Sequence, residues 1–141
     1  MKKTAVIYWS GTGNTEAMAN AVLEGMKEAG AEAALYTPAE VTPELFDDLT
    51  GVAFGCPAMG AEVLEEMDFQ PMWDSAKGFL GGKSVALFGS YGWGDGEWMR
   101  TWEADCDEAM VNLVCESVMC QSAPDEDAIA ACKALGKAVV G

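Results

Sequence analysis

The chain contains no histidine. Ser-His-Asp and Cys-His catalysis and every His-ligated metal site are therefore excluded. Basic residues are few, 8 against 23 acidic, and the only arginine is Arg100. The resulting net charge of −15 repels nucleic acid and anionic membranes, and no basic patch offsets it. The same surplus attracts basic protein partners and also serves solubility. Five cysteines, Cys56, Cys106, Cys115, Cys120 and Cys132, are odd in number and irregularly spaced. No CxxC pair exists, and Cys115 to Cys120 completes no iron–sulfur or zinc pattern. They read as buried, reduced thiols of a cytosolic protein. Long apolar runs are absent too. After Met1-Lys2-Lys3-Thr4 the apolar stretch reaches only from Ala5 to Trp9, too short for a secretory signal. Nothing approaches the ~20 residues of a membrane helix.

What is present suits one domain spanning residues 1–141: 141 residues, 50% of them apolar, enough for a core. Short apolar runs alternate with helical stretches. Thr4 to Trp9 is unbroken by polar residues after Ala5, as in a strand covered on both faces. Met18, Ala21, Val22, Gly25, Met26 and Ala29 then repeat along one face of a helix from about Asn14 to Ala29, stopped by Gly30. Glu32 to Tyr36, Val52 to Cys56 and Ser84 to Phe88 read as strands. Val111 to Met119 reads as a last strand, weakened by Asn112 and Glu116. Thr42-Pro43-Glu44 starts a brief helix. Further helices are expected over Pro71 to Leu80, Glu97 to Ala109 and Asp125 to Val140. This alternation predicts an α/β fold: a five-stranded parallel sheet with helices on both faces. Ligands in such sheets bind beyond the carboxyl ends of the strands, where strand order reverses. The loops after Trp9, Cys56 and Phe88 are therefore the candidates.

The first loop is Ser10-Gly11-Thr12-Gly13-Asn14-Thr15 and runs into a helix. Two glycines permit a tight backbone, and three hydroxyls and an amide can donate hydrogen bonds. With the unpaired N–H groups of a helix start, this forms an anion site without a cation. A neutral cradle suits one terminal phosphate monoester; an ordinary N-cap turn is the plainer reading. Gly82-Lys83-Ser84 is no P-loop, because its earlier glycine falls on Lys77. Glu16 stands where a dinucleotide fingerprint needs its third glycine.

The second loop is Gly55-Cys56-Pro57-Ala58-Met59-Gly60-Ala61-Glu62. Its small residues and thioether can lie against a flat apolar ring. At Gly60 a peptide can turn over and offer its carbonyl to a ring N–H present only in a reduced cofactor. A plain surface turn is the alternative. The third loop is Gly89-Ser90-Tyr91-Gly92-Trp93-Gly94-Asp95-Gly96. An indole between glycines suggests ring stacking, or else folding of Trp93 back onto the domain. Trp98 and Trp102 are spaced for core packing.

Together, and in this order, the three loops resemble those of the short-chain, clostridial-type flavodoxins from about residue 3 to residue 140. The resemblance implies a flavodoxin-like three-layer sandwich with strand order 2-1-3-4-5 and one non-covalently bound FMN. It further implies that Ser10, Thr12, Asn14 and Thr15 hold the phosphate, with Gly11 and Gly13 shaping the loop. Pro57, Ala58, Met59, Gly60, Ala61 and Glu62 would flank the ring on one side. Ser90, Tyr91, Gly92, Trp93 and Gly94 would flank it on the other, with Met59 and Trp93 covering its two faces. The Gly60–Ala61 peptide would flip on reduction and bond the flavin N5–H. Ala61 departs from the polar residue that often follows the flipping glycine.

The implied function is low-potential one-electron carriage, cycling mainly between flavin semiquinone and hydroquinone, by a monomeric cytoplasmic carrier rather than an enzyme. Glu62, Glu65, Glu66, Asp68, Asp95 and Glu97 would raise the energy of an anionic reduced flavin. One carboxylate about 10 Å away at effective dielectric ~20 costs roughly 1.7 kcal/mol, or about 70 mV per electron. Implied partners are redox proteins with basic docking surfaces, namely reductases and low-potential iron–sulfur enzymes. The alternative is an FMN-dependent oxidoreductase of the quinone reductase type, but nothing is inserted to build a substrate pocket. A phospho-receiver lacks its acidic residues at Trp9-Ser10 and Cys56-Pro57. A tyrosine phosphatase would need arginine at Glu62.

Overall fold

The computed structural model describes residues 2–60 and 62–141. Five strands alternate with four helices. The strands are β1 (Lys3–Tyr8), β2 (Glu32–Tyr36), β3 (Gly51–Gly55), β4 (Ser84–Tyr91) and β5 (Val118–Gln121). The helices are α1 (Asn14–Glu28), α2 (Phe69–Ala76), α3 (Glu97–Glu108) and α4 (Glu126–Val140). All strand pairs are parallel, in the order β2-β1-β3-β4-β5. The order reverses between β1 and β3, the place where such sheets open a ligand crevice.

Strand side chains alternate between faces with period two, and both faces are covered. Ala5, Ile7, Phe54 and Leu87 pack with Phe69, Trp73, Met99 and Trp102 of α2 and α3. Val6, Ala53, Ala86 and Phe88 pack with Met18, Val22, Leu135 and Val139 of α1 and α4. This double burial explains the unalternating apolar runs. Trp98 and Trp102 are buried, as their spacing predicts. Trp73 meets Phe54 and Trp102 edge-on, at centroid distances of 5.0 and 5.7 Å. No helix among the described residues is long and apolar enough to cross a membrane.

Several expected boundaries shift. β4 continues to Tyr91, so Gly89, Ser90 and Tyr91 belong to the strand rather than to the loop. The last strand is Val118–Gln121 instead of Val111 to Met119. Leu113 makes only an isolated bridge to Val85, while Val118 pairs with Phe88. Between these two pairings four residues, 114–117, stand against only two, 86–87, so this stretch leaves the ladder and β5 starts only at Val118. Thr37 and Glu40 form a capping box on a short 3-10 turn, Pro38–Glu40, which the sequence reading did not anticipate. The brief helix after Thr42 is also a 3-10 turn, Pro43–Asp48.

Candidate functional site

The three loops converge at the carboxyl ends of β1, β3 and β4 around a cleft of about 430 Å³. This lies within the roughly 300–1,000 Å³ of small-molecule sites. Gly11, Thr12 and Asn14 line it from the first loop, Pro57, Ala58, Met59 and Gly60 from the second, and Ser90, Tyr91 and Gly92 from the third. Trp9 and Ser122, which lie outside the three loop motifs, line it too. Trp9 sits at the mouth of β1, a position that could have marked it. Its indole lies over Gly11 and separates the cleft from a second hollow of about 520 Å³. Ser10, Gly13, Thr15, Glu62, Trp93 and Gly94 stand outside the cleft wall, and Ala61 lies outside the described residues.

Ser10 folds the first loop. Its Oγ accepts the N–H groups of Gly13 at 3.1 Å and Glu16 at 3.2 Å. Gly13 caps α1 with φ of 95°, a left-handed conformation that glycine adopts without strain. Among the described residues the N–H groups of Gly11, Thr12, Asn14 and Thr15 have no acceptor, nor do the Thr12 and Asn14 side chains. Four free donors at the positive end of a helix, with no cation in the loop, form an anion cradle. Thr15 Oγ1 points inward instead and lies 3.0 Å from Ser90 Oγ.

The second loop is tied down at both ends. Ala58 N–H donates to the Ser90 carbonyl at 3.0 Å, and Met59 N–H to the Val63 carbonyl at 2.9 Å. Glu62 N–H donates to the Met59 carbonyl at 2.8 Å, closing a four-residue turn whose central peptide joins Gly60 to Ala61. The central peptide is the one that reverses between type I and type II turns. Cys56 beneath is buried, which pushes its thiol up to about 12, with the Glu65 N–H opposing and the Glu65 carboxylate adding to the rise.

Trp98 Nε1–H donates to the Cys56 carbonyl at 3.1 Å, fixing the second loop to α3. The Tyr91 ring packs on Trp98 with centroids 5.5 Å apart. Trp93 is 61% exposed, so its indole does not fold back into the core. The Glu62 carboxylate packs against Gly94, joining the second and third loops. Its Oε1 is buried with no hydrogen-bond partner among the described residues. Burial raises the Glu62 carboxyl, Glu97 and Asp95 add to the rise, and Arg100 opposes it. Arg100 pairs with Asp95 at 2.9 Å, and this hydrogen bond and charge hold Asp95 below the usual range. Glu65 does not join the surface carboxylates: it is 5% exposed and accepts the N–H groups of Met67, Asp68 and Phe69 at 2.7–2.8 Å. Glu66, Asp68, Asp95 and Glu97 remain exposed.

FMN needs a cradle for a phosphate dianion and a slot for a flat ring. The free N–H groups of the first loop meet the first need. The slot between Pro57–Gly60 and Ser90–Gly92, walled mainly by small residues, Met59 and Tyr91, meets the second.

Residues 6–136 match the family model described as Flavodoxin. The flavodoxin of Clostridium beijerinckii is 41% identical over 121 residues, 86% of this chain and 88% of that protein. The flavodoxin of Megasphaera elsdenii is 40% identical over 138 residues, 94% of this chain and 95% of that protein. Its two-electron-reduced solution structure superposes with a TM-score of 0.88 at 37% identity, covering 97% of this chain and 98% of that one. The NAD(P)H dehydrogenase (quinone) 3 of Rhizobium meliloti is 42% identical over only 69 residues, 49% of this chain and 32% of that enzyme. Carried almost end to end by these matches and by a cleft that fits the cofactor, the chain belongs to the flavodoxin family, whose FMN-bound members carry electrons rather than act as enzymes.

Proposed function

We propose that residues 1–141 form a single domain that takes one FMN into this cleft and carries single electrons at low potential. In this reading the flavin supplies the one-electron chemistry. Ser10, Thr12, Asn14 and Thr15 hold the phosphate, with Gly11 and Gly13 shaping its loop. Pro57 to Glu62 and Ser90 to Gly94 flank the ring, with Met59 and Trp93 on its opposite faces. The observation that carries the assignment is the set of four unpaired N–H groups at the start of α1, opening onto a slot for a flat ring. The Met59–Glu62 hydrogen bond supports the peptide reversal, since turns closed in this way occur in forms that differ by reversal of the central peptide.

The exposed carboxylates of Glu66, Asp68, Asp95 and Glu97, close in sequence to the two flanking loops, disfavour added negative charge on the ring, which lowers the second reduction step. They also favour redox partners with basic docking surfaces. A monomeric, cytoplasmic carrier is the matching form.

The test is an anaerobic reductive titration of the FMN-loaded protein followed by visible absorbance. Two resolved one-electron steps are expected, with a long-wavelength band that rises and then falls. Direct bleaching from yellow to colourless would replace this reading with two-electron chemistry of the quinone reductase type.

A further inference from the structure

Ser90 bonds to the first and second loops of the cleft and lies in the strand that leads into the third. Its carbonyl accepts Ala58 N–H from the second loop at 3.0 Å, and its Oγ lies 3.0 Å from Thr15 Oγ1 behind the first. The next residue, Tyr91, is the last of β4, directly before the third loop, and its carbonyl accepts Ser122 N–H at 2.8 Å. Ser90 itself sits in β4, paired with Cys120 of β5, so its backbone is fixed by the sheet. Thr15 is the second residue of α1, and its N–H is one of the four free donors of the anion cradle. The two hydroxyls are 75 residues apart in sequence, and their residues are 1% and 4% exposed. Water has little access to replace either partner, and deleting one leaves the other buried and unpaired.

We propose that Ser90 is a positioning residue for phosphate recognition: its hydrogen bond with the Thr15 hydroxyl fixes the first turn of α1 against the sheet, and so makes the site prefer FMN over riboflavin. The inference rests on the phosphate-cradle reading of the first loop. Main-chain N–H bonds to a dianion depend on distance over fractions of an ångström. Anchoring the cradle to β4 holds those donors converged before any ligand arrives, so less binding free energy is spent on ordering them. Ser90 acts here through Thr15, and its own hydroxyl need not touch the cofactor.

The experiment measures FMN and riboflavin affinities of the apo-protein, by flavin fluorescence, for wild type, Ser90→Ala, Thr15→Val, the double variant and Thr15→Ser. In Ser90→Ala the FMN affinity is expected to fall about tenfold, the equivalent of one hydrogen bond. Riboflavin affinity should stay within about twofold. In the Thr15→Val background Ser90→Ala should cost nothing further, since the shared interaction is already gone. Thr15→Ser, which keeps the hydroxyl, should retain the wild-type preference. Equal losses for FMN and riboflavin in Ser90→Ala would overturn the inference, as would an unchanged ratio or additive losses in the double variant. Should Ser90→Ala fail to fold, judged by circular dichroism, Ser90→Cys with its weaker donor reads the same ratio. Wild-type protein with no preference for FMN would overturn the cradle reading itself. A preference that survives the loss of Ser90 would overturn only the role given to Ser90.

Discussion

At Glu65 one buried side chain completes the turn that leads into α2. Its carboxylate accepts three backbone N–H groups, and its own carbonyl accepts that of Gln70. Burial raises this carboxyl, but the N–H groups of Phe69, Asp68 and Met67 outweigh burial and hold it below the usual range. A group held low in the folded state stabilises the fold above its unfolded value of about 4.3 and loses that contribution as pH falls through its folded value. Glu65→Gln is therefore expected to cost about 2 kcal/mol at neutral pH. Urea unfolding should show the gap from wild type closing as pH drops below about 4; a gap that stayed constant would remove the charge from the explanation. From sequence, Glu65 looks like one more solvated acid beside Glu66, because nothing in its spacing signals that the chain turns back over it. The glycines, hydroxyls and amide of the first loop, by contrast, were legible, since their type alone suits an anion. The inward turn of Thr15 toward Ser90 was not, because the partner lies 75 residues away.

Among the elements, α1 and α4 approach closely at two glycines, one on each helix, that face the other helix's backbone. A Cβ on Gly25 would run into the Lys133 carbonyl, and one on Gly136 into the Val22 carbonyl. Alanine gains roughly 1 kcal/mol of helix propensity over glycine, yet here the helices would have to part. Gly136→Ala is expected to destabilise by about 1–3 kcal/mol net. Gly78→Ala, with nothing within 4 Å of its added methyl, should be close to neutral by the same unfolding measurement. Stabilisation by Gly136→Ala would show that propensity outweighs packing at this crossing. Helix faces and central strands were readable because burial on two sides leaves continuous apolar runs and a 3.6-residue repeat. The edge strand β5 was not, since its late start depends on where the chain rejoins the register of β4.

For the molecule as a whole, −15 of net charge is large enough to matter for encounter. Glu66 and Asp68, which follow the second loop in the chain, and Asp95 and Glu97, which follow the third, are exposed, with Arg100 committed to Asp95. Reduction of a basic haem protein by the FMN-loaded carrier is expected to slow several-fold as salt rises from about 0.05 to about 0.5 M, because the screening length shortens from over 10 Å to under 5 Å. Stopped-flow rates independent of salt would show that docking does not use this charge.

The sequence by itself determined the class of fold, the strand–helix alternation, the three loops and the chemistry each offers. These are local properties: side-chain period, glycine content, donor count and the lack of histidine or a loop cation. Only the tertiary structure decided that Trp9 and Ser122 also line the cleft, that Glu65 is buried under the N–H groups of residues 67–69, and that Ser90 ties the first loop to the second. The cleft lining and the Ser90 contacts depend on segments distant in the chain arriving together at the carboxyl ends of the strands, and parallel register, set by packing on both faces, fixes that arrival; the Glu65 contacts are local, but depend on the chain turning back over a buried side chain.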